Sequence, residues 1–348
     1  MAAAEKVGRG MRVSNLIAQT RRRGDAEKTS LSPLLRISAM KGLVLALLCA
    51  AVAPAATYYV TISGLGGETD YDQRFKMWAD DIDATLKKSG GGNNVATLVN
   101  PTREQVRAKL AEVAKTAKPD DALVVMLIGH GSYDGAEYKL NLTGPDITGT
   151  ELAVLMDRVP ATRQCVVDMT SSSGGAIPEL RRPTRVVITA TKTGTEKNAT
   201  VFARYWAEAL RDPAADTDKN DGVSALEAFR YAEKKVTDYF ETQKRLATEH
   251  ALLEDTGKGE GERNPSPENG EGKLAGAFTL VRLGANAAAA NDPAKRALME
   301  KKESLEQAIE KLKYEKAAMP AEQYKSQLTQ LLLELAKTQE ALDSGGTK

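Results

Sequence analysis

Leu123-Val124-Val125-Met126-Leu127-Ile128-Gly129-His130-Gly131-Ser132 decides how this chain is organised. The stretch from Leu123 to Ile128 is continuously apolar, as a central parallel strand covered on both faces must be. It runs straight into a glycine-flanked histidine. Glycines let a backbone approach closely and expose its amide N–H groups, which makes the end of this strand a candidate site. Outward from it, Tyr58–Ser63, Val95–Val99, Gln164–Asp168, Arg185–Ala190 and Ala277–Leu283 read as further strands. Arg74–Lys88 places Phe75, Trp78, Ile82 and Leu86 on one helical face. Thr102 and Gln105 have capping-box spacing, and Thr150–Arg158, Val201–Leu210 and Val223–Thr248 are further helices. Strands alternating with helices predict an α/β fold of three layers around a mainly parallel sheet of about six strands. Ligands in such sheets bind at the carboxyl ends of strands, where His130 stands.

The flanks differ from this core. Met40-Lys41, the apolar run Leu43–Ala53 and Ala53-Pro54-Ala55 have the form of a secretory signal peptide over residues 40–56. The run is too short for a membrane span, which takes about 20 residues. Residues 1–39 upstream fit neither signal nor domain and read as a misplaced start or unstructured leader. The expected location is therefore secreted or periplasmic, with no membrane span in the mature chain. Residues 57–255 form the α/β domain, and 256–273 contain no apolar residue and read as a flexible loop or linker. Residues 274–284 supply its last strand. In 292–344, Leu298, Leu305, Ile309 and Leu312, then Tyr324, Leu328, Leu331, Leu335 and Leu342, form two apolar stripes broken at Met319-Pro320. That is a helical hairpin or coiled coil, through which a homo-oligomer could form. Residues 1–56 carry a net +6 and the remainder −5, so the folded part lacks the basic face that nucleic acid requires.

A second strand also runs into a small, hydroxyl-rich turn: Val166-Val167-Asp168-Met169-Thr170-Ser171-Ser172-Ser173-Gly174-Gly175. Together with His130-Gly131 it resembles the caspase-like and bacterial-type legumain-like cysteine peptidases. These place a His-Gly after one central strand and a nucleophilic Cys after the next, in a pattern like Asp/Glu-x-Cys-x-Ser-Gly. Ile188-Thr189-Ala190-Thr191, Gly194, Glu196, Asn141–Pro145 and Glu249-His250 are similar as well. The resemblance covers about residues 57–284. It implies a caspase-like three-layer fold with His130, Gly131 and Ser171 as the site, Ser171 standing where Cys belongs. Arg74, read in the loop leading to the first helix, and Thr191 are the pocket residues it implies. A thiol, with a pKa of about 8.5, supplies some thiolate unaided, whereas a serine hydroxyl needs a bonded and oriented base. Cys165 cannot substitute, because it lies roughly 20 Å from Ser171 at about 3.3 Å per residue; it reads as a buried structural thiol.

A third motif runs from Asp216 to Glu227. Asp216, Asp218, Asn220 and Ser224 fall at positions 1, 3, 5 and 9 of an EF-hand-like loop, with Gly222 at 7, apolar Val223 at 8 and Glu227 at 12. Position 6, which needs a positive φ, is Asp221 rather than glycine. The motif predicts a structural Ca²⁺; the competing expectation is an acidic turn capped by Ser224. Ser63-Gly64-Leu65-Gly66-Gly67 imitates a dinucleotide loop but lacks its third glycine, which would be Thr69. Three functions compete: a secreted peptidase homologue that binds a peptide or protein without cutting it, a hydrolase using Ser171 and His130, and a scaffold acting through the hairpin. None requires a cofactor.

Overall fold

The computed structural model describes residues 55–91, 94–292 and 295–344. The leader and nearly all of the expected signal peptide lie outside these residues. β1 (Thr57–Ser63), α1 (Thr69–Leu86), β2 (Val95–Val99), α2 (Arg103–Thr116) and β3 (Ala122–Ile128) open the domain. Three short strands follow, β4 (Gly131–Tyr133), β5 (Tyr138–Leu140) and β6 (Ile147–Thr148), and then α3 (Gly149–Asp157). β7 (Arg163–Asp168), α4 (Ile177–Leu180), β8 (Arg185–Thr189), α5 (Phe202–Ala209), β9 (Gly222–Ser224) and α6 (Ala225–Thr242) come next. β10 (Leu252–Glu254), α7 (Lys273–Gly276), β11 (Thr279–Arg282), α8 (Gly284–Asn291), α9 (Arg296–Glu315) and α10 (Ala321–Ser344) complete the described chain.

The central sheet has six strands in the order β2-β1-β3-β7-β8-β10. Neighbours are parallel from β2 to β8, and β10 joins β8 antiparallel. Every residue of β3 is buried. Val124, Met126 and Ile128 pack with Phe75, Trp78, Ile82, Trp206 and Phe229 from α1, α5 and α6. Leu123, Val125 and Leu127 pack with Val106, Leu110, Leu152, Met156 and Leu180 from α2, α3 and α4. Each such side chain contributes about 1.5–3 kcal/mol on burial, so β3 is the anchor of the three layers. Strand order reverses between β1 and β3, the kind of place where α/β sheets hold ligands, and the loops after both strands meet there. Gly64 N–H donates to the Ile128 carbonyl at 2.8 Å and holds the two loops together.

The sixth strand differs from expectation. β11 pairs antiparallel with β9 in a separate two-stranded sheet, and the edge of the central sheet is β10. β10 has three residues, too few to show a period. Residues 256–273 form a loop, but a firmly tied one. Leu253 and Glu262 exchange both backbone hydrogen bonds. Glu254 Oε1 accepts from the Thr256 and Lys258 amides, and Asp255 accepts from those of Gly272, Leu274 and Ala275. Carboxylates holding backbone N–H groups leave no hydropathy pattern, so composition alone suggested a flexible linker. The helix read as Val223–Thr248 ends at Thr242, where Lys244 turns the chain with a φ of 54°.

α9 lies on the α/β domain with Met299, Lys302 and Leu312 buried. Glu303 Oε2 accepts from Arg282 at 2.8 Å, and Tyr314 OH donates to the Glu271 carbonyl at 3.2 Å. α10 packs along α9, leaving Leu332 and Leu333 exposed. No described helix is long and apolar enough to cross a membrane.

Candidate functional site

His130 leaves the carboxyl end of β3 and enters an aromatic corner made by α1. Its ring meets Tyr71 edge-on at 4.7 Å and Phe75 at 5.2 Å between centroids. Burial pushes the imidazole pKa below its usual value, and a backbone hydrogen bond at Gly66 opposes that shift. Glu68 and Asp72 also raise it, while Arg74 lowers it. The loop that imitated a dinucleotide site thus touches the histidine instead. Its glycines serve packing: a Cβ on Gly66 would stand 2.4 Å from the Asp72 amide nitrogen.

Gly131 and Ser171 are brought together by the pairing of β3 with β7. The Gly131 N–H donates to Ser171 Oγ at 3.1 Å, and Ser171 Oγ donates back to the Gly131 carbonyl at 3.0 Å. A Cβ on Gly131 would lie 2.3 Å from the Ser171 carbonyl, 2.6 Å from Thr170 Oγ1 and 2.6 Å from the Tyr138 ring. No other residue fits there. Among the described residues no hydrogen bond joins His130 to Ser171, and the Ser171 backbone N–H has no partner. Ser171 is only 2% exposed, whereas His130 and Gly131 are partly exposed, so the site opens on the histidine side.

Beneath the serine lies a network that its sequence neighbourhood did not announce. Thr170 Oγ1 donates to Asp168 Oδ1 at 2.7 Å and meets Tyr138 OH at 2.6 Å, and the Thr170 amide donates to the same carboxylate oxygen. Asp168 is fully buried and its Oδ2 has no partner. Burial raises its pKa to about 6, against the hydrogen bonds from Thr170 and Tyr138. The available signal was an Asp ending a strand two residues before a hydroxyl, the spacing of an Asx turn. Ser172 follows with a φ of 59°, its N–H donating to the Glu196 carbonyl at 2.8 Å.

The expected pocket residues are placed differently. Thr191 is fully buried, and its Oγ1 accepts from the Gly174 amide at 2.9 Å and meets Ser173 Oγ at 3.2 Å. It staples the turn and cannot touch a ligand, which corrects its assignment to a pocket. Arg74 lies inside α1 rather than in the loop before it. It is exposed, donates to the Asp70 carbonyl at 3.2 Å and covers the Tyr71 ring at 4.5 Å, one ring removed from His130. The other histidine, His250, pairs with Glu196 through Nδ1 at 2.6 Å. Beside it Glu249 accepts the Val201 and Phe202 amides at the start of α5, and burial raises its carboxyl to about 7. Cys165 is fully buried in β7 and burial pushes its thiol pKa up.

In the loop before α6, oxygens of Asp216, Asp218 and Glu227 all lie within 4.8 Å of one another. Asp221 takes a φ of 63°, the left-handed conformation that position 6 demands, and Val223 is buried. The capping box also forms: Ser224 Oγ accepts from the Glu227 amide at 3.2 Å, and Glu227 Oε2 accepts from the Ser224 amide at 2.9 Å. Burial, then Glu227, raises the Asp218 pKa to about 6. On the loop's outer side the Asn220 carbonyl accepts from Asn286 at 2.8 Å and from Lys302 Nζ at 3.1 Å.

Neither a protein-family model nor a curated protein matches the chain. Among solved structures it is similar to caspase-1 from Spodoptera frugiperda, at 13% identity over 58% of this chain and 87% of that one, with a TM-score of 0.43. A pro-sf-caspase-1 structure is similar at 12% identity, 58% and 92% coverage and a TM-score of 0.43. The Drosophila initiator caspase Dronc follows at 11% identity, 70% and 96% coverage and a TM-score of 0.41. Similarity at this level carries no chemistry to the present chain.

Proposed function

We propose that this is a caspase- or legumain-like peptidase homologue, exported by the segment around Leu43–Ala53, that binds a peptide or protein partner without cleaving it. One observation carries the reading. The Ser171 hydroxyl is bonded in both directions to the Gly131 backbone, and the His130 ring is engaged with Gly66, Tyr71 and Phe75. A serine becomes a nucleophile only when a base takes its proton, and here the hydroxyl donates its hydrogen bond to the Gly131 carbonyl, which cannot act as that base. The test is hydrolysis of small Asn-, Asp- and Arg-containing peptide substrates. The expected result is no turnover by the natural protein and measurable turnover by Ser171→Cys. Turnover by the natural protein that Ser171→Ala and His130→Ala both abolish would replace this reading with that of a serine hydrolase.

A structural Ca²⁺ in the Asp216–Glu227 loop is the second proposal. It is favoured by the three converging carboxylates and by the left-handed Asp221. Asn220, the Gly222 carbonyl and Ser224 would complete the oxygen set of such a loop. Isothermal titration showing no heat at millimolar Ca²⁺ rejects it.

A further inference from the structure

Three carboxylates are buried together where β10 runs into the following loop. Glu254 is 0% exposed, and Asp255 and Glu271 are each 3% exposed. Among the described residues no lysine, arginine or histidine forms an ion pair with any of the three. The nearest cations in sequence, Arg263 and Lys273, pair with Glu233 and Glu315 instead. Buried charges are otherwise matched by an opposite charge or bound to a metal. Asp255 is satisfied by backbone: Oδ1 accepts from the Gly272 amide, and Oδ2 from those of Leu274 and Ala275. The other two carboxylates are left short. Glu254 Oε1 accepts from the Thr256 and Lys258 amides, but Oε2 has no partner. Thr256 Oγ1 lies 3.1 Å from Glu254 Oε1 and 2.9 Å from Glu271 Oε1. A hydroxyl has a single proton, so it cannot donate fully to both carboxylates that flank it.

We propose that Glu254 and Glu271, with Thr256 Oγ1 between them, bind a Ca²⁺ ion. This site is separate from the Asp216–Glu227 loop and does not depend on it. A set made only of oxygens suits a hard cation, and Ca²⁺ accepts the irregular arrangements that Mg²⁺ resists. Only Glu254 and Glu271 supply free carboxylate oxygens, so water fills the remaining positions and the dissociation constant falls at about 10⁻⁴–10⁻³ M. The ion fastens the edge strand β10 to the C-terminal hairpin, because the Glu271 carbonyl accepts from Tyr314 OH of α9 at 3.2 Å.

The test is a Ca²⁺ titration of the ¹⁵N-labelled full chain near neutral pH, read at backbone amides. In the natural protein the amides of Thr256, Lys258 and Glu271 should shift with a midpoint of about 0.1–1 mM. Glu254→Gln keeps the shape and removes the charge. It should raise that midpoint about tenfold, while the amides of Asp218 and Asn220 titrate as before. Glu227→Gln should do the reverse, weakening the response of Asp218 and Asn220 and leaving that of Thr256 unchanged. Amides of Thr256, Lys258 and Glu271 that stay still up to about 10 mM Ca²⁺ in the natural protein overturn the site without recourse to any variant. An unchanged midpoint in Glu254→Gln overturns it as well. If these amides respond while those of Asp218 and Asn220 do not, this site stands and the calcium reading of the Asp216–Glu227 loop fails.

Discussion

Asp168→Asn isolates the most unusual charge in the site. Asp168 is fully buried, with Oδ2 unpartnered, and its pKa is raised from 3.8 to about 6. A carboxyl whose pKa is higher folded than unfolded binds more protons in the native state. Its contribution to stability is complete below about pH 4, drains away as pH rises towards 6, and is gone by pH 8. About two pKa units at 1.36 kcal/mol each amount to about 3 kcal/mol, and complete burial calls for no discount. Asn cannot ionise, so the stability of the variant minus that of the natural protein should grow by about 3 kcal/mol between pH 4 and pH 8. The raised carboxyls of Glu249, Asp218, Glu271 and Glu306 are common to both proteins and cancel in that difference. Urea unfolding followed by fluorescence of the buried Trp78 and Trp206 gives it directly. Any constant offset reflects the new amide and decides nothing. Stability profiles that stay parallel across the pH range would refute the buried charge.

Other perturbations follow from the same geometry. Gly131→Ala drives a Cβ to 2.3 Å from the Ser171 carbonyl, and should cost about 1–3 kcal/mol of stability by urea unfolding. Arg185→Met leaves the buried Gln164 Oε1 and Leu180 carbonyl without their donor, while Asp157 keeps Arg182, and should cost about 1–3 kcal/mol by the same measurement. Ca²⁺ must displace the proton of Asp218, whose carboxyl sits near pH 6, so calorimetric affinity should fall between pH 7.5 and pH 5. Affinity independent of pH would place the ion elsewhere.

How much of this was legible in the sequence depends on whether side chains or backbone carried the signal. The β3 run and the helical face of Phe75, Trp78 and Ile82 are side-chain periods, and both are core in the structure. His130 at the end of β3 followed from the order of strand and glycine. The tie between Ser171 and Gly131, the Gly66 contact of His130 and the carboxylate-held loop at 256–273 are side chain-to-backbone bonds. Their partners lie far apart in sequence or belong to the main chain, so no spacing encodes them. Thr191 shows the reverse case. Its position near the site was legible, but its hydroxyl is consumed by Gly174 and Ser173. β10 was invisible because three residues carry no period, and its place at the edge depends on pairing with β8.

The oxygen at residue 171 decides what the site can do. A hydroxyl is a good donor and a good acceptor, and Ser171 uses both abilities on Gly131. A thiol does each weakly, and its longer bonds fit the same space less well. Ser171→Cys therefore changes two things at once: it loosens the tie to Gly131 and supplies a nucleophile that needs less help from His130. Ser171→Ala loosens the tie alone. Turnover of small peptide substrates should appear in Ser171→Cys and in neither Ser171→Ala nor the natural protein. Equal turnover in all three would mean that residue 171 takes no part in the chemistry.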